Sequence, residues 1–163
     1  MKKFLSAVIL LLLFALQTSV MSPSAIFGIE INLVLVYTLA YAVNSDLFAS
    51  AVMGALCGML LDVSGGSVIG YNILIVMYLS ALTSVVSFRF YSENRVVSVV
   101  IVTLSVFVCE FLRLVIYGTL FTDIEIMYTV IRYILPQAVL NAVVCIPVMM
   151  CVKWLKNEYI RGI

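Results

Sequence analysis

Six runs of apolar residues, 4–20, 29–43, 47–61, 71–88, 96–117 and 134–152, take up most of this 163-residue chain. A helix needs roughly 20 such residues to cross a hydrocarbon core about 30 Å thick, so the runs read as six transmembrane helices. The fold class they predict is an all-α, polytopic membrane helix bundle. With 65% of residues hydrophobic and 10% charged, the chain cannot be solvated as a water-soluble domain. Residues 1–163 therefore form a single integral membrane domain, with no length left for a soluble catalytic head. The second and third runs are short, at about 15 residues, and only Asn44, Ser45 and Asp46 separate them. They predict a tight hairpin whose arms do not fully cross the core.

Basic residues set an orientation. If Lys2 and Lys3 stay in the cytoplasm, alternation of six spans puts Arg89, Arg95, Lys153, Lys156 and Arg161 on the same side and only Arg132 outside. Both termini are then cytoplasmic. Glu30, Asp62, Asp123 and Glu125 fall on the outer side. The first run, followed by Ser22, Pro23, Ser24 and Ala25, also resembles a secretory signal peptide. Its apolar stretch is longer than the usual 7 to 15 residues, which favours a retained helix.

Between Met53 and Tyr71, Gly54, Gly58, Asp62, Gly66 and Gly70 recur every fourth residue. On a helix this spacing lays Gly54 and Gly58 along one face, a strip where a second helix can approach closely. Asp62 ends that strip. Ser64, Gly65, Gly66 and Ser67 then read as a turn, in which the Asp62 carboxylate accepts backbone N–H groups and terminates the third span; the compatible functional alternative is that the turn forms a protein contact on the outer face.

Glu110 and Arg113, three apart in the fifth run, share a helix face where an ion pair offsets part of the cost of charge in hydrocarbon. Either they lock the bundle to itself, or they face a cavity or a partner helix. In the last run, Pro136 suits a first helical turn, while Pro147 should kink the helix and free the carbonyl of Val143. Gln137 and Asn141, four apart, are candidates for bridging helices by amide hydrogen bonds. Trp154, Tyr159 and Lys153 belong to an interfacial belt.

Cys57, Cys109, Cys145 and Cys151 lie in apolar stretches without C-x-x-C spacing, and the chain has no His. They read as small buried hydrophobes, with no metal site and no cofactor implied. There is no phosphate-binding Gly-rich loop and no nucleic-acid motif, and Asp62 has neither a base nor a nucleophile beside it. An enzyme is the weakest class. A membrane scaffold that binds other helices and a bundle enclosing a small molecule both stay open.

The run G-A-L-C-G-M-L-L-D-V-S-G-G-S-V-I-G-Y-N, from Gly54 to Asn72, resembles the signature of the rod shape-determining protein MreD family of bacteria. Leu16, Gln17, Thr18 and Ser19 resemble that family's first-span end, and I-L-P-Q-A-V-L-N-A-V, from Ile134 to Val143, is similar to its last helix. Glu30, Ile31 and Asn32 depart from it, standing where relatives often carry a Pro-Asp pair.

The resemblance implies a scaffold of the cell-elongation machinery in the bacterial inner membrane. It implies that the protein binds the bitopic protein MreC and works with RodA, its transpeptidase partner and the MreB filament in lateral peptidoglycan synthesis, with membrane lipid around it and no nucleic acid. It also implies a fold similar to the substrate-binding subunits of energy-coupling factor transporters, which makes a vitamin-binding subunit the alternative. Ala7, Leu11 and Ala15 break the small-residue spacing by which such subunits dock their coupling partner.

Overall fold

In the computed structural model of the chain, residues 2–21, 32–65, 70–90, 95–121 and 130–161 are described, and all of its elements are helical. In chain order the α-helices are α1 (Lys2–Leu16), α2 (Leu33–Val43), α3 (Leu47–Gly65), α4 (Tyr71–Arg89), α5 (Arg95–Phe121) and α6 (Leu135–Arg161). Five-residue π-helical stretches follow α1, at Gln17–Met21, and precede α6, at Val130–Ile134. Among the described residues, four helices have apolar windows long enough to cross a membrane: α3, α4, α5 and α6. Shorter apolar helices span Leu5–Ser19 and Leu33–Val43.

Helix α2 is the centre of the bundle. It is apolar on every side, which is the pattern of a helix surrounded by protein, and all residues from Val34 to Ala40 are buried. It packs against α1, α3, α4, α5 and α6. At 11 residues it is only about 16 Å long, so it lies within the bundle without crossing a full hydrocarbon core. Its start is set by Asn32, whose side-chain oxygen accepts the N–H of Leu35 at 3.2 Å as an N-cap.

The helices differ in extent from the apolar runs in ways that follow from local chemistry. The third run, expected to stop at Leu61 and fall short of the membrane, continues as helix through Ser64 and Gly65, giving α3 19 residues. Ser64 donates back to the carbonyl of Leu61, at 3.1 Å, and so belongs to the helix and not to a turn. Helix α6 continues past Val152 to Arg161 because its polar end is helical too, and it runs on through Pro147. Cys57, Cys109 and Cys145 are buried, whereas Cys151 is exposed on the outside of α6, contrary to its reading as a buried hydrophobe. Gly66, Glu30, Asp123 and Glu125, together with the side chains of Lys153, Trp154 and Tyr159, lie outside the described residues.

One end of the bundle is tied by hydroxyls on α4. Ser84 donates to the carbonyl of Ser45 at 2.7 Å and Ser87 to that of Val43 at 2.9 Å, joining the end of α4 to the α2–α3 turn. Small polar side chains suit this role, because they let backbones approach while satisfying carbonyls that water cannot reach.

Candidate functional site

The opposite end of the α3–α4 pair is the most specifically built part of the molecule. Gly70 opens α4 with φ +101°, a left-handed conformation that a side chain disfavours. Gly70 stands at the N-cap position but has no side chain with which to accept the free amides of the first turn. Asp62, on α3, supplies the cap instead. Its carboxylate accepts N–H groups from Gly70 at 2.8 Å, Asn72 at 3.1 Å and Ile73 at 3.4 Å. The last two are the amides that an ordinary Asp N-cap serves from within its own helix. Asp62 is only 3% exposed, so the three donors and the positive end of the α4 dipole are what make a buried carboxylate tolerable. The sequence reading placed it in a turn at the interface, and the structure places it inside α3, on the first turn of the next helix.

The glycine strip faces the same helix. A Cβ on Gly58 would stand 2.5 Å from the carbonyl oxygen of Asn72 and from Cα of Ile73. One on Gly54 would stand 2.7 Å from the carbonyl oxygen of Val76 and 2.9 Å from Cα of Met77. At Gly58 the space is occupied by backbone alone, and at Gly54 by backbone together with the Ser80 hydroxyl, whose Oγ would stand 2.7 Å away. The close approach available at Gly54 and Gly58 is therefore taken up by α4 of the same chain.

Beside this seam, the Tyr71 hydroxyl donates to the carbonyl of Arg113 at 2.9 Å, tying the start of α4 to α5. The Arg113 guanidinium meets the Glu110 carboxylate through Nη1 alone, at 3.3 and 3.4 Å to its two oxygens. The pair is thus formed within one helix. A further polar tie lies between α1 and α2, where the Gln17 side chain accepts the N–H of Val34 at 3.1 Å and reaches the Asn32 side chain at 3.5 Å. The sequence reading assigned no site role to these two residues. The signal for Asn32 was legible as an N-cap residue standing directly before an apolar run.

Gln137 and Asn141 do not bridge helices here. Asn141 is 1% exposed, yet neither atom of its amide finds a hydrogen-bond partner, and Gln137 makes none through its side chain among the described residues. Asn141 lies on the buried face of α6 with Cys145 and Met149. Among the described residues, no group of His, Cys, Asp or Glu side chains could hold a metal ion.

A family model described as rod shape-determining protein MreD matches residues 1–158. The chain belongs to the MreD family. The match runs from the start of α1 almost to the end of α6, so the whole bundle, including the Asp62 cap and the glycine seam, is the part that resembles MreD. No curated protein and no solved structure matches the chain. The MreD description is one of shape determination, and four span-length apolar helices make this member of the family a membrane protein.

Proposed function

We propose that this MreD-family protein is a non-enzymatic membrane scaffold of the cell-elongation machinery, binding MreC and helping to organise lateral peptidoglycan synthesis with RodA, its transpeptidase partner and MreB. The observation that carries the reading is the family match over nearly the whole chain. The geometry is consistent with it. The specific polar contacts at the α3–α4 end, from Asp62 to α4 and from Tyr71 to α5, are spent on holding helices in fixed relation, as a scaffold requires. Positive-inside bias supports cytoplasmic termini, seven basic residues lying on one side of the six-span arrangement and Arg132 on the other. In that orientation the Asp62 end of the bundle faces outward.

Affinity capture of the full chain from native membranes tests the proposal. A bitopic coiled-coil protein in the eluate is the expected result. Recovery of an ATPase pair with a coupling subunit would replace the scaffold with the vitamin-binding alternative. An alkaline-phosphatase fusion after Ile163 should be inactive, and activity would overturn the orientation.

A further inference from the structure

We propose that a second copy of this chain docks on the wall formed by α4, α5 and α6, in a two-fold dimer that pairs the Tyr78 hydroxyl of each copy with the Val143 carbonyl of the other. Packing defines the wall. Helix α5 packs against both α4 and α6, and α2 lies behind all three. The apolar window of α5 is 17% buried, the least of the four spans. Val96, Val100 and Leu104 are exposed on the side of α5 away from buried Val102, Val106 and Cys109.

Apolar faces alone do not select a partner in lipid, whereas polar groups do. Helix α4 exposes a donor. Tyr78 is 69% exposed, between exposed Leu74 and Leu82, and its hydroxyl has no hydrogen-bond partner among the described residues. It stands seven residues after Tyr71, where the window of α4 begins, and so about 10 Å into the span. That is farther than a tyrosine side chain reaches, which leaves the O–H in hydrocarbon, where lacking an acceptor is costly.

Helix α6 exposes the complement. Pro147 has no N–H to give the carbonyl of Val143, and α6 contains no Ser or Thr that could replace it. Val143 is 62% exposed and Pro147, one turn on, is exposed as well, so the carbonyl between them opens on the lipid face. Val143 stands eight residues after Leu135, where its window begins, within one residue of the level of Tyr78. In the six-span alternation α4 and α6 run in the same direction. A two-fold axis along the membrane normal, beside α5, keeps that direction and carries α4 of one copy onto α6 of the other, so that both donors meet both acceptors. A donor at one edge of the wall and an acceptor at the other, at one depth, make the surface complementary to itself, which selects a second copy over an unrelated helix. The dimer does not depend on the scaffold reading.

The test follows the labelled full chain in vesicles of phosphatidylethanolamine and phosphatidylglycerol, counting subunits by single-molecule photobleaching as protein is diluted in lipid. Wild-type protein should dimerise and dissociate on dilution. Tyr78→Phe, a change on an exposed side that leaves the bundle intact, should weaken the dimer about tenfold for the loss of two hydrogen bonds. Pro147→Ala, which supplies an N–H to the Val143 carbonyl, should weaken it similarly, and the double variant should be no weaker than either. On oxidation, Leu104→Cys in a Cys151→Ser background should cross-link copy to copy, and Leu12→Cys on exposed α1 should not. A wild-type protein that is monomeric at every dilution would overturn the second copy and leave the wall to lipid or to a helix of another protein. An unchanged dimer in Tyr78→Phe, or additive losses in the double variant, would overturn the Tyr78–Val143 bond. Cross-linking through Leu12→Cys and not Leu104→Cys would overturn the wall as the dimer face.

Discussion

Helices α3 and α6 are both long, apolar and membrane-spanning, yet they are held in different ways. Within its apolar window α3 is 44% buried, rests backbone to backbone on α4 at Gly54 and Gly58, and reaches across to cap α4 with Asp62. The window of α6 is 22% buried, its one fully buried amide makes no hydrogen bond, and it carries Pro147 in its interior. The contrast teaches where a membrane bundle of this kind is specified. Water expulsion cannot distinguish one apolar face from another in lipid, so definition comes from close backbone packing and from polar groups that have a single possible partner. The α3–α4 pair has both, and α6 has neither in comparable measure.

The largest effect should come from filling the seam. Gly58→Leu places a side chain where the α4 backbone already stands, so the hairpin must open. The expected result is loss of the folded, extractable protein, and Gly58→Ala should still cost about 1–3 kcal/mol in a steric-trapping or denaturant assay. Wild-type stability in Gly58→Ala would break the comparison. Next in size is the Glu110 and Arg113 cycle. Either single change to Ala leaves a charge without its partner and should cost about 1–3 kcal/mol, while the double change should cost less than the sum. Additive losses would mean that the pair contributes no mutual stabilisation.

The elements of this contrast were unequally legible in the chain. Glycine spacing announced a close-packed face, because only glycine lets backbones touch and its period of four has one structural meaning on a helix. What spacing does not carry is whose backbone arrives, and here it is α4 of the same chain. Asp62 was recognisable as an acceptor of backbone N–H groups. Its position inside α3 was hidden, because Ser64 and Gly65 look like turn residues and yet continue the helix. The six apolar runs were legible as helices, but the central burial of α2 was not, since a run of 11 to 15 apolar residues looks the same whether it meets lipid or protein. Gln137 and Asn141 misled for a related reason. Two amides on one face predict a bridge only if a partner stands opposite, and sequence does not place one.

Two smaller effects sharpen the same contrast. Asn32→Ala removes the N-cap of α2 and its contact with Gln17, and should lower stability by about 1 kcal/mol. Asn141→Leu replaces an amide without a hydrogen-bond partner by an apolar group of similar size, and should change stability by less than about 1 kcal/mol in either direction. A loss of several kcal/mol there would show that α6 is specified by a polar contact as α3 is.

Amide hydrogen exchange, read by mass spectrometry on a peptide covering residues 70–76 and on one from α6 covering 141–149, tests the difference most directly. If Asp62 caps α4 from the neighbouring helix, the amides of Gly70, Asn72 and Ile73 are protected in the wild-type protein. In Asp62→Ala, which remains apolar enough to insert, peptide 70–76 should lose that protection while peptide 141–149 exchanges as before. Exchange in peptide 70–76 that is equally fast in the wild type and in Asp62→Ala would contradict the account.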